Sequence, residues 1–200
     1  MISTFTAFFD ANVFYGARLR SLLLYLAQTK QFRARWSDRV HDEWIRNLKA
    51  NRPDIASDKI DKIRQSMNNA ILDCLVTGYE PLIPCMGLPD PNDNHILAAA
   101  IVGKASCIVT FNLDDFPARI VERYGLHAVH PDRFILDVEN LSPVTFAKAV
   151  AEDFSHYVDP QLTLNDYTAS LRKAGLPQTA ERIEKLAVLI DRPDPARHEV

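Results

Sequence analysis

The chain has 200 residues, 47% hydrophobic and 24% charged, with a formal net charge of −3, which describes a globular protein with room for one domain of about 130 residues and a smaller appendage. Only the last ten residues read as disordered, and the weak negative charge offers no overall attraction for nucleic acid. The charge is uneven, however: residues 1–70 hold twelve Lys/Arg against seven Asp/Glu, the remainder eleven against nineteen, so a basic N-terminal part can steer a phosphate polymer toward one side.

In chain order, the aromatic run Phe5-Thr6-Ala7-Phe8-Phe9 predicts a first strand that delivers Asp10 at its carboxyl end. Leu19, Leu22, Leu23 and Leu26 recur at helical spacing over residues 18–29, and residues 32–36 suit a short second strand. Ser37 can cap a helix from about Asp38, with Val40, Trp44 and Leu48 as its apolar stripe and Glu43 beside that stripe. Residues 54–76 predict a further helix with Ile55, Ile60, Ile63, Met67, Ile71, Leu72 and Leu75 on its core side. Residues 80–83 predict a third strand, an edge one because of Pro81.

The densest stretch is residues 88–116. Asp90 and Pro91 are a helix-start signal, and the helix expected over residues 94–104 is apolar on nearly all sides, so it should lie against a sheet. Residues 107–110 are short and mostly β-branched, the pattern of a buried parallel strand. This fourth strand opens into Asn112, Asp114 and Asp115. A brief helix over 117–124 and a fifth strand over 126–129 follow. Strands alternating with helices predict a three-layer α/β/α domain on a parallel sheet of about five strands, joined by right-handed crossovers. From about Ser142 the pattern changes to three helices, 143–157, 163–174 and 177–189, broken at Asp159-Pro160 and at Gly175. We divide the chain into residues 1–137 and a helical region, 138–200.

The strand order gathers acids at one rim: Asp10, Glu43, Asp93 with Asp90 nearby, and Asp114 or Asp115, with Asn12 and Asn112 as neutral oxygen donors. Asp90 and Asp93 are also what a capped helix would carry, so each alone is evenly balanced between cap and chemistry. Two carboxylates about 4.5 Å apart repel by roughly 3–4 kcal/mol at an effective dielectric near 20. Divalent cations relieve such repulsion, and a carboxylate and water shell suits Mg²⁺ or Mn²⁺ and the hydrolysis of phosphodiesters. Arg39, Arg46 and Lys49, on the Glu43 helix, are candidates for contacts to a phosphate backbone, as are Arg33, Arg35 and Arg52. His95 reads as a helix-surface residue. Trp36 and Trp44 read as core, and the odd set Cys74, Cys85 and Cys107, with no CxxC, as reduced core thiols.

Several excluded classes narrow the field. No glycine-rich phosphate loop and no nucleophile elbow is present. No apolar run approaches the ~18 residues of a membrane span, and Asp10 interrupts the apolar stretch near the N-terminus, so neither a span nor a signal peptide is expected and the expected location is the cytoplasm.

The order Phe9-Asp10-Ala11-Asn12-Val13, then Glu43 after Ser37, then Asp90-Pro91-Asn92-Asp93-Asn94, then Thr110-Phe111-Asn112-Leu113-Asp114-Asp115-Phe116-Pro117 resembles the PIN-domain nucleases. His130-Pro131-Asp132-Arg133-Phe134 is similar to that family's closing strand and helix. The resemblance covers residues 5–137 and is nearest to the VapC-type toxins, ribonucleases of toxin–antitoxin pairs, in a branch with an added C-terminal helical region. It implies metal-ligand roles for Asp10 and Asp93, with Glu43 completing the catalytic cluster and Asn12 positioning the first aspartate or a water. Where many relatives carry aspartate this chain has Asn112, so the fourth acid falls to Asp115 or Asp114. The resemblance also implies Mg²⁺ or Mn²⁺, an RNA substrate, a VapB-like antitoxin whose tail plugs the cleft, and a homodimer. The alternative from a different class is a catalytically weak RNA- or protein-binding module on the same fold, with Asn112 in its favour.

Overall fold

A computed structural model of the chain describes residues 5–157 and 162–190; the break expected at Asp159-Pro160 and the disorder expected of the last ten residues lie outside these. β1 (Thr6–Phe9) is buried along its whole length, and Asp10 after it starts a short helix, α1 (Ala11–Tyr15), followed by α2 (Ala17–Gln28). β2 (Arg33–Arg35) pairs parallel with β1, and α3 (Asp38–Asn51) begins where Ser37 accepts a hydrogen bond from the Val40 N–H. α4 (Ser57–Ala70), α5 (Asn94–Val102), β3 (Cys107–Val109), α6 (Ala118–Val121) and β4 (His127–Val129) complete the α/β part. All pairings are parallel, in the order β2-β1-β3-β4. The core strands β1 and β3 are buried throughout, as a sheet covered on both faces requires.

This order sets the site. From β1 the chain moves outward to β2, then crosses back to β3 on the other flank of β1. The reversal opens a crevice beyond the carboxyl ends of β1 and β3, where open α/β sheets bind ligands.

The sheet has four strands, one fewer than expected. Residues 80–83 lie in a 3-10 helix, Glu80–Cys85, that packs against α5. Pro81 and Pro84 fix φ and remove two ladder donors, which a single turn tolerates better than a sheet. The place beside β2 is taken by one parallel bridge, Trp36 to Leu75, through Trp36 N–H to Cys74 O (2.9 Å) and Val76 N–H to Trp36 O (2.8 Å). The helix expected over 54–76 stops at Ala70. The Asn68 carboxamide oxygen there accepts from Trp36 Nε1 (3.1 Å) and lies 2.9 Å from His41 Nε2, so its end is tied to the core and Leu72 falls out of the stripe, 88% exposed. Trp36 and Trp44 are fully buried; Cys74 and Cys107 are buried, but Cys85 is exposed because its segment is not a strand.

The C-terminal helices are α7 (Pro131–Leu141), α8 (Pro143–Ser155), α9 (Leu164–Lys173) and α10 (Pro177–Lys185). The division expected at 137/138 falls within α7. Buried polar groups tie these helices down. The Asp132 carboxylate accepts from the Gln178 and Thr179 N–H groups (3.0 and 2.8 Å), capping α10 from α7, and buried Glu139 meets Arg182 at 2.8 Å. Asp153 on α8 accepts from Ser21 on α2 and from Tyr167 on α9. Among the described residues, no helix is long and apolar enough to cross a membrane.

Candidate functional site

Asp10 stands at the crevice, 7% exposed, and makes no side-chain capping bond to α1. Instead its Oδ2 accepts from Asn12 Nδ2 and from Thr110 Oγ1, both at 2.7 Å. Thr110, at the end of β3, also accepts from Asn12 Nδ2 (2.9 Å) and from the Asn112 N–H (3.0 Å), while Asn12 Oδ1 accepts from the Phe111 N–H (3.2 Å). Asn12 and Thr110 thus lock the loop after β3 to the carboxylate after β1. Burial pushes the Asp10 carboxyl above its ordinary range, against the Thr110 hydroxyl.

Asp93 ends the 3-10 turn Pro91–Asp93 that leads into α5. Like Asp10 it makes no side-chain cap bond, whereas Asp90 does, accepting from the Asn92 N–H at 2.8 Å. The two aspartates that local sequence could not separate are therefore distinct: Asp90 is the cap, and the Asp93 carboxylate is free for other work. Burial pushes the Asp93 carboxyl up to about 7, and Asp10, Asp115, Asp90 and Glu43 push in the same direction through their charges. Glu43 approaches from α3. Its burial is more than offset by His95, whose Nε2 lies 2.9 Å from Oε1, and by Arg39, at 3.5 Å, so its carboxyl sits below the usual range.

Asp10, Glu43 and Asp115 thus each act on Asp93 across the crevice, with Asn12 in contact with Asp10. Asp114 turns away: it is exposed and lines a separate groove of about 440 Å³ with Phe116, Pro117 and His127. Asn112 is exposed and contributes its backbone N–H. Arg39, Arg46 and Lys49 are exposed on α3, the first two within a turn of Glu43 on the same helical face. Arg35 and Arg52 are engaged by Asp73 (2.5 Å) and Asp54 (2.7 Å).

Two residues at the site were not among the expected ones. Thr110, expected as a strand end and as the first residue of the family motif, holds the Asp10 carboxylate. His95, expected on the surface, is 1% exposed, and neither ring nitrogen makes an aligned hydrogen bond. The signal was available: on a helix apolar all round, a polar residue is buried too and needs a polar neighbour.

Among the described residues, no three His, Cys, Asp or Glu side chains are drawn tightly enough together to enclose an ion unaided. The donor set is mainly carboxylate and amide oxygen. That fits a hard cation such as Mg²⁺, which keeps several waters and uses one or two carboxylates, better than the closed shell of structural zinc.

Burial of Asp93, with the like charges around it, has a thermodynamic signature. A carboxyl whose folded-state pKa is raised binds its proton more tightly in the native state, so between about pH 4 and 7 ionisation of Asp93 costs the metal-free fold stability as pH rises. Asp93→Asn is expected to melt with wild type at about pH 4.5 and, once Asp93 is ionised at about pH 8, roughly 2–4 °C above it, half-exposure having been allowed for. Parallel melting curves at both pH values would refute the coupling.

Comparison with known proteins matches residues 6–114 to the PIN domain family model and residues 131–185 to the VapC50 C-terminal domain model. A curated relative from Mycobacterium tuberculosis (strain ATCC 25618 / H37Rv), provisionally named ribonuclease VapC50, is 32% identical over 121 residues, 60% of this chain and 70% of the relative. No solved structure gives a significant match.

Proposed function

This chain belongs to the PIN-domain family, in the VapC-type branch that carries a C-terminal helical domain, and from that premise we propose that it is a divalent-metal-dependent endoribonuclease, the toxin of a toxin–antitoxin pair. The observation that carries the reading is the convergence of Asp10, Glu43 and Asp115 on Asp93 at one crevice: burial first, and then the charges of Asp10, Asp115, Asp90 and Glu43, push the Asp93 carboxyl up, a cost that a bound cation would relieve.

Asp10 and Asp93 would hold Mg²⁺ or Mn²⁺, with Glu43 and Asp115 completing the catalytic set. When bound, the ion supplies an activated water for in-line attack and offsets charge on the phosphoryl oxygens and the leaving alkoxide. The chain's own residues prepare this. Asn12 and Thr110 both engage Oδ2 of Asp10 and so orient its carboxylate. His95 and Arg39 keep Glu43 ionised and hold its carboxylate. Arg39, Arg46 and Lys49 offer cations to the RNA backbone, and Asp90 and the Asn112 N–H hold the two loops in shape.

Residues 1–137 form the nuclease domain and 138–200 the helical region in this account. Its partners are an RNA substrate and a VapB-like antitoxin that covers the crevice, the active form is a homodimer, and its place is the cytoplasm. Incubation of the purified chain with single-stranded RNA tests the activity. Cleavage is expected with Mg²⁺ or Mn²⁺ and is expected to stop with EDTA. Cleavage indifferent to EDTA, or none in either metal, would contradict the proposal.

A further inference from the structure

Phe111, in the loop after β3, stands between the crevice and the C-terminal helical region. The ring of Phe111, directly after Thr110, stands edge-on to His130 with centroids 5.0 Å apart. The ring also lies against Gly175, in the turn between α9 and α10. A Cβ added to Gly175 would sit 3.0 Å from Phe111 Cε1, and Gly175 has φ +84°, where only glycine is comfortable. This seat is held firmly. His130 Nδ1 accepts from the Asp132 N–H (3.2 Å), and the Asp132 carboxylate accepts from the Gln178 and Thr179 N–H groups just past Gly175. From the same residue the Phe111 N–H donates to Asn12 Oδ1, and Asn12 Nδ2 donates to Asp10 Oδ2. Two residues, Phe111 and Asn12, therefore link the α9–α10 turn to the Asp10 carboxylate.

We propose that the C-terminal helical region is a positioning element for the metal-binding cluster: His130 and Gly175 seat the Phe111 ring, which fixes the loop carrying Asn112 to Asp115 and, through Asn12, the orientation of Asp10. Phe111 and Gly175 are positioning residues, and the inference rests on the metal-site reading above. Residues that orient metal ligands commonly matter about 10–100-fold in metal affinity.

The test is made on the full chain with Mn²⁺ as probe, read by calorimetry, and with kcat and KM measured separately on single-stranded RNA. Gly175→Ala is compared with Gly125→Ala, which carries the same left-handed backbone (φ +70°) but would meet no atom within 4 Å. Gly175→Ala is expected to weaken Mn²⁺ binding about tenfold and to lower kcat more than it raises KM, while Gly125→Ala stays near wild type. Adding Phe111→Leu, a smaller side chain, to Gly175→Ala is expected to recover much of the loss. Phe111→Ala, which imposes no backbone strain, should reproduce the loss even if Gly175→Ala does not fold. Equal Mn²⁺ affinity in Phe111→Ala and wild type overturns the inference alone. Absence of Asp10-dependent Mn²⁺ binding in wild type overturns the metal-site reading, and this inference with it.

Discussion

Asp10→Asn is expected to reduce RNA cleavage by on the order of a thousandfold or more while leaving the metal-free protein folded and as stable as wild type or slightly more so. The loss follows if several kcal/mol of transition-state charge stabilisation depends on a cation held by this carboxylate. Survival of the fold follows from local geometry. Two side-chain hydrogen bonds reach Asp10 at Oδ2, from Asn12 and Thr110, and an asparagine carbonyl oxygen can accept both. The neutral side chain also escapes the burial that raises the aspartate's pKa and the repulsion from Glu43. Because Asp10 does not cap α1, no helix end is lost. Cleavage assays beside thermal melts check both halves; an unfolded variant would show the carboxylate to be structural.

Asp153→Ala is expected to lower the melting temperature by roughly 6–12 °C, corresponding to about 3 kcal/mol for a chain of this size. Asp153 is fully buried where α2, α8 and α9 meet, and it accepts from Ser21 and from the Tyr167 hydroxyl at 2.6 Å. Its charge also compensates Arg18, whose guanidinium lies 3.7 Å from the Tyr157 ring centroid. Truncation strands a fully buried phenol and leaves that cation uncompensated, and it is the stranded partner that makes such a deletion costly. Asp153→Asn, which keeps an acceptor, should lose less. A scanning calorimetry shift under 2 °C for the alanine variant would show that the contact does not hold the C-terminal helices to the rest of the chain.

What could be read in the sequence was whatever depends on long or strongly patterned runs. β1 and β3 were legible because a parallel strand buried on both faces is apolar without alternation. Once they were in order, their carboxyl ends named the rim where Asp10 and the loop after Thr110 converge. α1 was not legible, since five residues are too few to show a helical period. Residues 80–83 carried a strand's apolar content, but two prolines settled the backbone otherwise. The choice between Asp114 and Asp115 could not be made from sequence, because adjacent residues of a single 3-10 turn point about 120° apart and the backbone decides which faces the crevice. Asp90 and Asp93 were equivalent as letters; one capping bond separates them.

The most direct test of the central claim is a calorimetric titration of the metal-free chain with Mn²⁺ at about pH 8, above the Asp93 value of about 7, in wild type and Asp10→Asn. A saturable binding heat is expected in wild type and is lost or at least about tenfold weaker in the variant, with the variant's melting temperature not lowered. Identical isotherms for the two proteins, or no binding to wild type, would contradict it.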